Sequence, residues 1–324
     1  MFTMEELDAA RAIVADAMAP TPQYRWPLLD QAAGCEVWVK HENHTPVGAF
    51  KVRGGLVHMR RRSQAGQTGG VISATRGNHG QSIAFAARRE GIAATIVVPH
   101  GNSVEKNAAM RALGAELVEA GRDFDEARTV ADQLAEERGL DPVPSFHPDL
   151  VVGVATYAYE LLTAVPGLEV VYVPIGLGSG ICAVIGVRDL LGLSTKVVGV
   201  VAEGAPAYAQ SFAARRVIHT ESVQTFADGV AVRTPDPIAL GIILDGAERV
   251  VTISDDEIAE ATRLLFASTH NTAEGAGATA LAALLQERPD SRAGVILTGG
   301  NIDTSTFATI LGGGTPDASG PAST

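Results

Sequence analysis

Short runs rich in valine and isoleucine alternate with helical patterns along most of the chain, and this alternation limits the possible folds more than any other feature. Eight runs are predicted as strands, at residues 36–40, 70–74, 94–98, 116–119, 170–173, 197–201, 250–253 and 294–297. Helical patterns lie between them, at residues 80–89, 124–138 and 258–268. Ser254 and Glu257 precede the last of these with the spacing of a capping box. Because parallel strands need long crossover connections, which are usually helices, this order predicts an α/β fold with mostly parallel sheets.

The predicted strands form two groups. One is a compact βαβ series between residues 70 and 119, the other begins at residue 170, and an irregular stretch lies between them at residues 139–148. We therefore expect two domains, each an open, twisted, mostly parallel sheet flanked by helices, with a cleft between them. The last segment is rich in Gly, Ser, Pro and Thr and has too few apolar residues to order itself. The predicted division is a large domain of residues 1–51 and 152–312, a small domain of residues 52–151 and a disordered tail of residues 313–324.

The composition argues against several classes of protein. With 46% hydrophobic and 19% charged residues among 324, the chain can bury a large core. A formal net charge of −12 argues against a nucleic-acid-binding surface, which needs clustered Lys and Arg. The two cysteines, Cys35 and Cys182, are too few for a disulfide framework, and no basic segment precedes an apolar one at the start of the chain. We therefore expect a cytoplasmic protein.

One uncharged stretch, residues 170–187, is long enough to raise the question of a membrane span. Pro174, Gly176, Gly178 and Gly180 interrupt it, because these residue types break regular structure. The pattern predicts a buried strand, a loop and the start of a helix, and no membrane partner.

Four short motifs follow predicted strands, and one of them contains the lysine of greatest chemical interest. They are Gly-Ala-Phe-Lys at 48–51, Ser-Ala-Thr-Arg-Gly-Asn-His-Gly-Gln at 73–81, Gly-Leu-Gly-Ser-Gly at 176–180 and Thr-Gly-Gly-Asn at 298–301. Ligands in open α/β sheets bind at the carboxyl ends of the strands, so the four loops are expected to converge on one cleft. Lys51 lies between a glycine-containing turn and a helical pattern. That position favours a Schiff base over a surface ion pair.

The ordered set of motifs resembles the tryptophan synthase β-like (fold type II) group of pyridoxal-phosphate enzymes, and within it the threonine dehydratase and serine racemase branch. The resemblance covers about residues 15–312. Further segments that carry it are Thr21-Pro22, Ala-Asp-Gly at 227–229 and Glu-Gly-Ala-Gly at 274–277. It implies pyridoxal 5'-phosphate in the interdomain cleft, a small amino-acid substrate and a homodimer.

The resemblance also implies roles for individual residues. Lys51 would bind the cofactor and later remove the Cα proton of the substrate. The implied cofactor-binding residues are Phe50, Lys51, Asn78, Gly176, Leu177, Gly178, Ser179, Gly180, Glu274 and Thr298. The implied substrate-binding residues are Thr75, Arg76, Gly77, Asn78 and His79.

Each of these roles has a physical basis. Consecutive amides in the loop at 176–180, aimed from a helix N-terminus, would bind the cofactor phosphate. Asn78 would donate a hydrogen bond to the cofactor O3′, and the amides and hydroxyl of its loop would bind the substrate α-carboxylate. Glu274 would orient the region around the lysine. A hydroxyl from Thr298 against the pyridine nitrogen, in place of a carboxylate, favours β-elimination because the ring is a weaker electron sink.

Arg76 departs from the family pattern. Serine racemases have a Ser there that acts as the second base, and dehydratases commonly have Ala or Ser. The change favours a lyase over a racemase. A guanidinium can also grip a second carboxylate or stack on an aromatic ring, so substrates resembling 3-hydroxyaspartate and phenylserine stay open beside threonine and serine, as does an Arg76 that points to solvent.

These observations predict a dehydratase that converts a β-hydroxy-α-amino acid into a 2-oxo acid and ammonia. Relatives that bind a divalent cation use two carboxylates where this chain has Val201 and Ala207, so Glu203 alone is left and no divalent-cation site is expected there, whereas a carbonyl-rich site for a monovalent ion stays open. We expect no regulatory domain like that of biosynthetic threonine deaminases. A nicotinamide dehydrogenase, with the glycine loop and Glu203 binding a dinucleotide, stays a second class, and a non-catalytic cofactor-binding protein a third.

Overall fold

The computed structural model describes residues 1–318 of the chain. Its helices are α1 Met4–Ala15, α2 Pro27–Ala33, α3 Lys51–Gln64, α4 Asn78–Arg89, α5 Val104–Ala112, α6 Phe124–Arg138, α7 Pro148–Ala164, α8 Ser179–Leu190, α9 Ala207–Ala214, α10 Pro237–Gly246, α11 Asp255–Thr269, α12 Gly275–Glu287 and α13 Thr304–Leu311. Its strands are β1 Gln23–Arg25, β2 Val37–His41, β3 Val71–Ala74, β4 Ala94–Val98, β5 Glu116–Glu119, β6 Asp141–Pro142, β7 Val170–Pro174, β8 Lys196–Ala202, β9 Arg249–Ile253 and β10 Ala293–Leu297. Short 3₁₀ helices are formed by Glu42–His44 and Asp228–Val230.

The strands form two sheets. The larger has the order β1-β2-β10-β7-β8-β9, and the smaller has the order β5-β4-β3-β6. Every pairing is parallel except that of β1 with β2. The mostly parallel α/β fold predicted from the sequence is therefore confirmed.

Both faces of the larger sheet are buried at its central strands, which explains why β7 and β10 are apolar at nearly every position. In β7, Val170 and Tyr172 pack with α12 on one face, while Val171 and Val173 pack with α7 and α8 on the other. The smaller sheet follows the same rule, with α3 and α4 on one face and the alanine-rich side of α6 on the other. Continuous apolar runs are the expected pattern for parallel strands covered on both sides.

The sequence pattern missed two strands. It predicted residues 139–148 as irregular, but Asp141–Pro142 forms the short strand β6, paired with β3. Pro142 has no amide hydrogen and is tolerated because β6 lies at the sheet edge. The other missed strand, β1, has only three residues, two of them exposed. Neither segment has the apolar pattern of a strand, so each can be identified only from its hydrogen bonds to the neighbouring strand.

The uncharged stretch that begins at residue 170 forms β7, a loop and the start of α8, as predicted. No helix formed by residues 1–318 combines the length and the hydropathy needed to span a bilayer. The capping box at the start of α11 is also confirmed, with the Glu257 carboxylate accepting from the Ser254 amide at 2.8 Å.

Sheet membership by itself does not fix where a domain ends, so the boundaries predicted at residues 51/52 and 151/152 stay a prediction. Of the predicted disordered tail, residues 313–318 have no regular secondary structure. Two of them contact α11, where Arg263 donates to the Gly314 carbonyl and Thr315 donates to Asp256. Residues 319–324 lie outside the described part of the chain.

Candidate active site

Lys51 is the first residue of α3, at a point where three loops of the larger sheet meet. The preceding amide, of Phe50, donates to the Thr298 carbonyl at 2.9 Å, and Ala49 forms an isolated bridge with Gly299. These bonds hold the start of α3 against the end of β10. The Phe50 ring lies beside the glycine loop, because a methyl group added at Gly180 would be 3.8 Å from its Cε2 atom.

The Lys51 side chain is partly buried, and its amine has no charged partner within residues 1–318. Its Nζ atom lies 5.4 Å from the centroid of the Phe50 ring, and among residues 1–318 no acceptor forms a hydrogen bond with it. Burial alone lowers the pKa of Lys51 from its ordinary 10.5 to about 8. About a tenth of this amine is therefore uncharged at pH 7, far more than for an ordinary lysine, and the uncharged form is the one a nucleophile or base requires.

The glycine loop connects β7 to α8 and leaves the first amides of that helix without a side-chain cap. Gly178, the N-cap residue, has a φ of +102°, which favours glycine. Gly176 is needed because a Cβ atom there would lie 2.5 Å from the Gly229 carbonyl oxygen. Uncapped amides at a helix N-terminus form an anion site, so the local structure fits a phosphate group.

The loop at 75–79 connects β3 to the start of α4. Its first residue, Thr75, is buried, and its Oγ1 atom accepts hydrogen bonds from the Gly77 amide at 3.0 Å and the Gly80 amide at 3.4 Å. The N-cap, Gly77, offers no side-chain cap, so the amides of Asn78 and His79 stay available. Two of the amides near this turn are thus occupied by Thr75 itself.

His79 is buried in α4, and its Nε2 atom has no hydrogen-bond partner among the described residues. Burial, with a smaller contribution from the nearby charge of Lys51, lowers the pKa of His79 to about 3. The imidazole is therefore neutral throughout the physiological range. Arg76, by contrast, is exposed, and within residues 1–318 it forms no ion pair.

Asn78 joins the two sheets through side-chain contacts. Its Nδ2 atom donates to Glu274 Oε1 at 2.6 Å, and its Oδ1 atom accepts from Asn301 Nδ2 at 2.8 Å. Asn301 also donates to the Val47 carbonyl at 2.8 Å. The start of α4 is thereby tied to the N-cap of α12 and to the loops before α3 and after β10.

Glu274 is the N-cap of α12, and it is buried. Its Oε2 atom has no hydrogen-bond partner in the described structure and lies 3.9 Å from Lys106 Nζ, which pairs with Asp228 at 2.6 Å. Burial raises the pKa of Glu274, and the Lys106 ammonium partly opposes this. A carboxylate with one unpartnered buried oxygen has capacity for a ligand.

The sequence did not identify Lys106 as a site residue. It is buried, and its stem packs so closely on the loop at 75–79 that a Cβ atom on Gly77 would lie 2.6 Å from Lys106 Cδ. Burial lowers the pKa of Lys106, but Asp228 and Glu274 raise it by more, so the group stays charged. The sequence carried only a weak indication that Lys106 is buried: it lies four residues before the buried Met110 and therefore shares one side of α5 with it.

The structure therefore places the predicted motifs in contact with one another, two at a time. Phe50 contacts the Thr298 carbonyl and the glycine loop, Asn78 contacts Glu274, and Lys106 connects Glu274 to the loop at 75–79. Pyridoxal phosphate fits this donor set: a partly buried amine without a partner in the described structure, an uncapped helix N-terminus for the phosphate and a Glu274 oxygen that likewise has no partner there. The individual roles predicted for these residues stay predictions.

A glycine loop that leads into an uncapped helix, together with a partly buried lysine at the start of a second helix, fits an enzyme that binds a phosphorylated cofactor, and comparison with known proteins identifies the family. A model described as pyridoxal-phosphate dependent enzyme matches residues 14–299. The chain belongs to this family. The predicted cofactor and the predicted resemblance are confirmed, and the nicotinamide alternative is disfavoured.

Three known proteins illustrate the similarity. An L-threonine ammonia-lyase from Thermotoga maritima is 32% identical over 317 residues, covering 97% of this chain and 79% of that protein. An L-threo-3-hydroxyaspartate ammonia-lyase from Saccharomyces cerevisiae is 30% identical over 311 residues, covering 95% of each chain. The structure of maize serine racemase superposes with a TM-score of 0.90 at 26% identity, covering 96% of this chain and 97% of that one.

Proposed function

We propose that the protein is an ammonia-lyase that converts a β-hydroxy-α-amino acid of the threonine or serine type into a 2-oxo acid and ammonia. The observation that carries this proposal is the partly buried amine of Lys51, which has no hydrogen-bond acceptor among residues 1–318 and follows Phe50, whose ring lies beside the glycine loop. The relatives support this reaction class, since two of those described above are ammonia-lyases acting on hydroxy amino acids.

In this proposal the glycine loop and the first amides of α8 would hold the cofactor phosphate, Thr298 would bind its pyridine nitrogen and Lys51 would be its attachment point. When bound, pyridoxal phosphate withdraws electrons from the Cα atom of the amino acid. The uncapped amides of Asn78 and His79 bind the α-carboxylate, where the positive end of α4 favours an anion. Lys51 Nζ accepts the Cα proton, which its lowered pKa permits.

The atoms balance without an external oxidant. Removal of the Cα proton and loss of the β-hydroxyl release one water, and hydrolysis of the unsaturated amine returns one water and releases ammonia. The 2-oxo acid therefore differs from the amino acid by the elements of ammonia alone. Glu274 and Lys106 stay buried beside the substrate loop and hold Asn78 in place.

Borohydride reduction of the holoenzyme followed by peptide mapping tests the proposed site. The chain has four lysines, Lys40, Lys51, Lys106 and Lys196, so the modified peptide identifies the attachment point directly. We expect the pyridoxyl adduct on Lys51. An adduct on another lysine, or none, would overturn the assignment.

A second candidate substrate class is favoured by the exposed, unpaired Arg76 in the substrate loop. A guanidinium can bind the second carboxylate of 3-hydroxyaspartate in a bidentate manner or stack on the ring of phenylserine. Keto-acid release should be compared for threonine, serine, 3-hydroxyaspartate and phenylserine in the wild type and in Arg76→Ala. A selective loss with one substrate assigns Arg76 as its selector, whereas an equal effect on all four excludes that role. Release of the enantiomer instead of keto acid would indicate a racemase.

We also propose that the protein is a cytoplasmic homodimer. Cys35 and Cys182 are unpaired, as in proteins of a reducing compartment, and the dimer rests on the family resemblance. Light scattering coupled to size-exclusion chromatography tests the oligomeric state: a mass near 67 kDa, twice the 33.6 kDa of one chain, is expected.

A further inference from the structure

A group of two histidines and one aspartate lies between α3 and the start of α7 and plays no part in the proposed reaction. It consists of His58, His147 and Asp149, whose ligand atoms all lie within 4.8 Å of one another. Asp149 Oδ2 is 3.2 Å from His58 Nδ1 and 3.5 Å from His147 Nδ1. We propose that this group, hereafter the His58 cluster, is a binding site for a divalent transition metal ion of the zinc type.

The spacing of the donor atoms carries the proposal. Zinc bound to imidazole nitrogen and carboxylate oxygen at about 2.0–2.2 Å in tetrahedral geometry places neighbouring donors about 3.3–3.6 Å apart. The distance from Asp149 Oδ2 to His58 Nδ1 is within about 0.1 Å of this range, and the distance to His147 Nδ1 lies inside it. The His147 Nδ1 lone pair accepts from the Asp149 amide at 3.2 Å, so this imidazole would give up that cap when it binds the ion. A nitrogen, nitrogen and oxygen donor set suits zinc, cobalt and nickel better than calcium or magnesium, which prefer oxygen alone.

The surroundings allow an ion to enter. His58 is buried, while the side chains of His147 and Asp149 are 38% and 18% exposed, so water can reach a fourth coordination position. Burial, followed by the neighbouring His58, lowers the pKa of His147, which keeps its imidazole neutral, as a metal ligand must be. Arg61 pairs with the other oxygen, Asp149 Oδ1, at 2.5 Å and leaves Oδ2 facing the histidines.

The position of the cluster links it to the active site mechanically. His58 lies on α3, two turns after Lys51, and Asp149 lies in the first turn of α7. A bound ion would cross-link these helices and hold the start of α7 against the helix that begins with Lys51. The site is separate from the position after β8 where no divalent-cation site is expected from the sequence.

The test uses untagged holoenzyme, treated with EDTA and dialysed, then titrated with Zn²⁺ by calorimetry and with Co²⁺ by visible absorption. His147→Asn removes the imidazole but keeps a side-chain acceptor for the Asp149 amide that His147 caps at 3.2 Å, because Asn is a good N-cap residue. His58→Gln removes the second ligand. The matched control is His100→Ala, an exposed histidine in the turn after β4.

We expect one Zn²⁺ per chain, Co²⁺ bands typical of a four-coordinate site, and at least a tenfold loss of affinity in each ligand variant but not in His100→Ala. The cofactor absorbance of every variant reports whether the fold is intact. The proposal is overturned if the wild type binds no ion at stoichiometric levels, or if either folded ligand variant binds as tightly as the wild type. In that case the group is a hydrogen-bonded contact between α3 and α7.

Discussion

Two polar regions lie within one turn of each other at the start of α3, and they differ in whether their charges are paired. The first is the Arg53 cluster, which we define as Lys40, Glu42, Arg53 and Glu160. Arg53 is fully buried and contacts Glu42 at 2.7 Å and Glu160 at 2.7 Å, and Lys40 contacts Glu160 at 2.6 Å. The second is Lys51, two residues earlier, whose partly buried amine has no such partner in the described structure.

The difference shows how the same kind of residue serves two purposes. Burial lowers the pKa of Arg53, but Glu42 and Glu160 raise it by more, so the guanidinium stays charged and anchors α3. Burial lowers the pKa of Lys51 with no partner to oppose it. The paired charge of Arg53 holds α3 in place, whereas the Lys51 amine, which has no partner in the described structure, has the lowered pKa that suits a nucleophile or base.

The largest effect is expected from removing the unpaired amine. Lys51→Ala should reduce keto-acid release at least about a thousandfold, since both cofactor attachment and the proposed base are lost. Its circular dichroism should match that of the wild type. The control is Lys196→Ala, which removes a lysine whose side chain is 59% exposed and should leave the rate unchanged. Activity of Lys51→Ala within tenfold of the wild type would contradict the assignment.

Removing one charge from the Arg53 cluster should mainly lower the free energy of unfolding. Arg53→Met leaves Glu42 buried without its partner, so the free energy of unfolding should fall by about 3–5 kcal/mol in urea denaturation. Arg11→Met removes an exposed pair with Asp8 and should cost less than about 1 kcal/mol. Equal effects of the two changes would show that the Arg53 cluster is not held by charge pairing.

Because the pKa of Lys51 is lowered by folding, the stability of the apoenzyme should depend on pH. The pKa of Lys51 is about 8 in the folded chain and near 10.5 when unfolded, so the unfolded chain binds more protons between these values. The stability of the wild type should therefore rise with pH across that window. Lys51→Met lacks this group and should be more stable than the wild type by up to about 3 kcal/mol at pH 7, a difference that shrinks towards pH 10. A constant difference would contradict the lowered pKa.

The smallest effect on stability is expected from replacing Glu274, whose buried carboxylate is only partly neutralised by neighbouring charge. Burial raises its pKa above the ordinary 4.5, so the folded chain binds more protons above that pH and stability falls as pH rises through the folded pKa. Between pH 5 and pH 8, Glu274→Gln should gain on the order of 1 kcal/mol relative to the wild type apoenzyme. The Gln amide oxygen can still accept from Asn78. An exposed control, Glu119→Gln, should show no such trend.

Much of the fold could be predicted because its signals are local. The apolar runs of β4 and β5 were predicted to the residue, as was α6, whose N-cap Asp123 precedes it and whose C-cap Gly139 has a φ of +63°. Strands β1 and β6 were missed because edge strands are stabilised by the partner they pair with and carry little pattern of their own.

The site was only partly predictable, for a similar reason. Lys51, the glycine loop and Asn78 lie in motifs with recognisable spacing. Lys106 does not, since its importance comes from Asp228, a residue 122 positions away that meets it only in the folded chain. The contact of Asn78 with Glu274 spans 196 positions and was equally invisible.

The sequence by itself determined the alternation of the main strands with helices, the family and the motif that contains Lys51, because apolar periodicity, glycine placement and motif order are properties of neighbouring residues. Only the tertiary structure decided which buried charges are paired. Pairing brings together residues far apart in the chain, so Arg53 and Lys51 differ in chemistry through their folded surroundings. The same holds for the His58 cluster, whose donors come from two helices that meet only after folding.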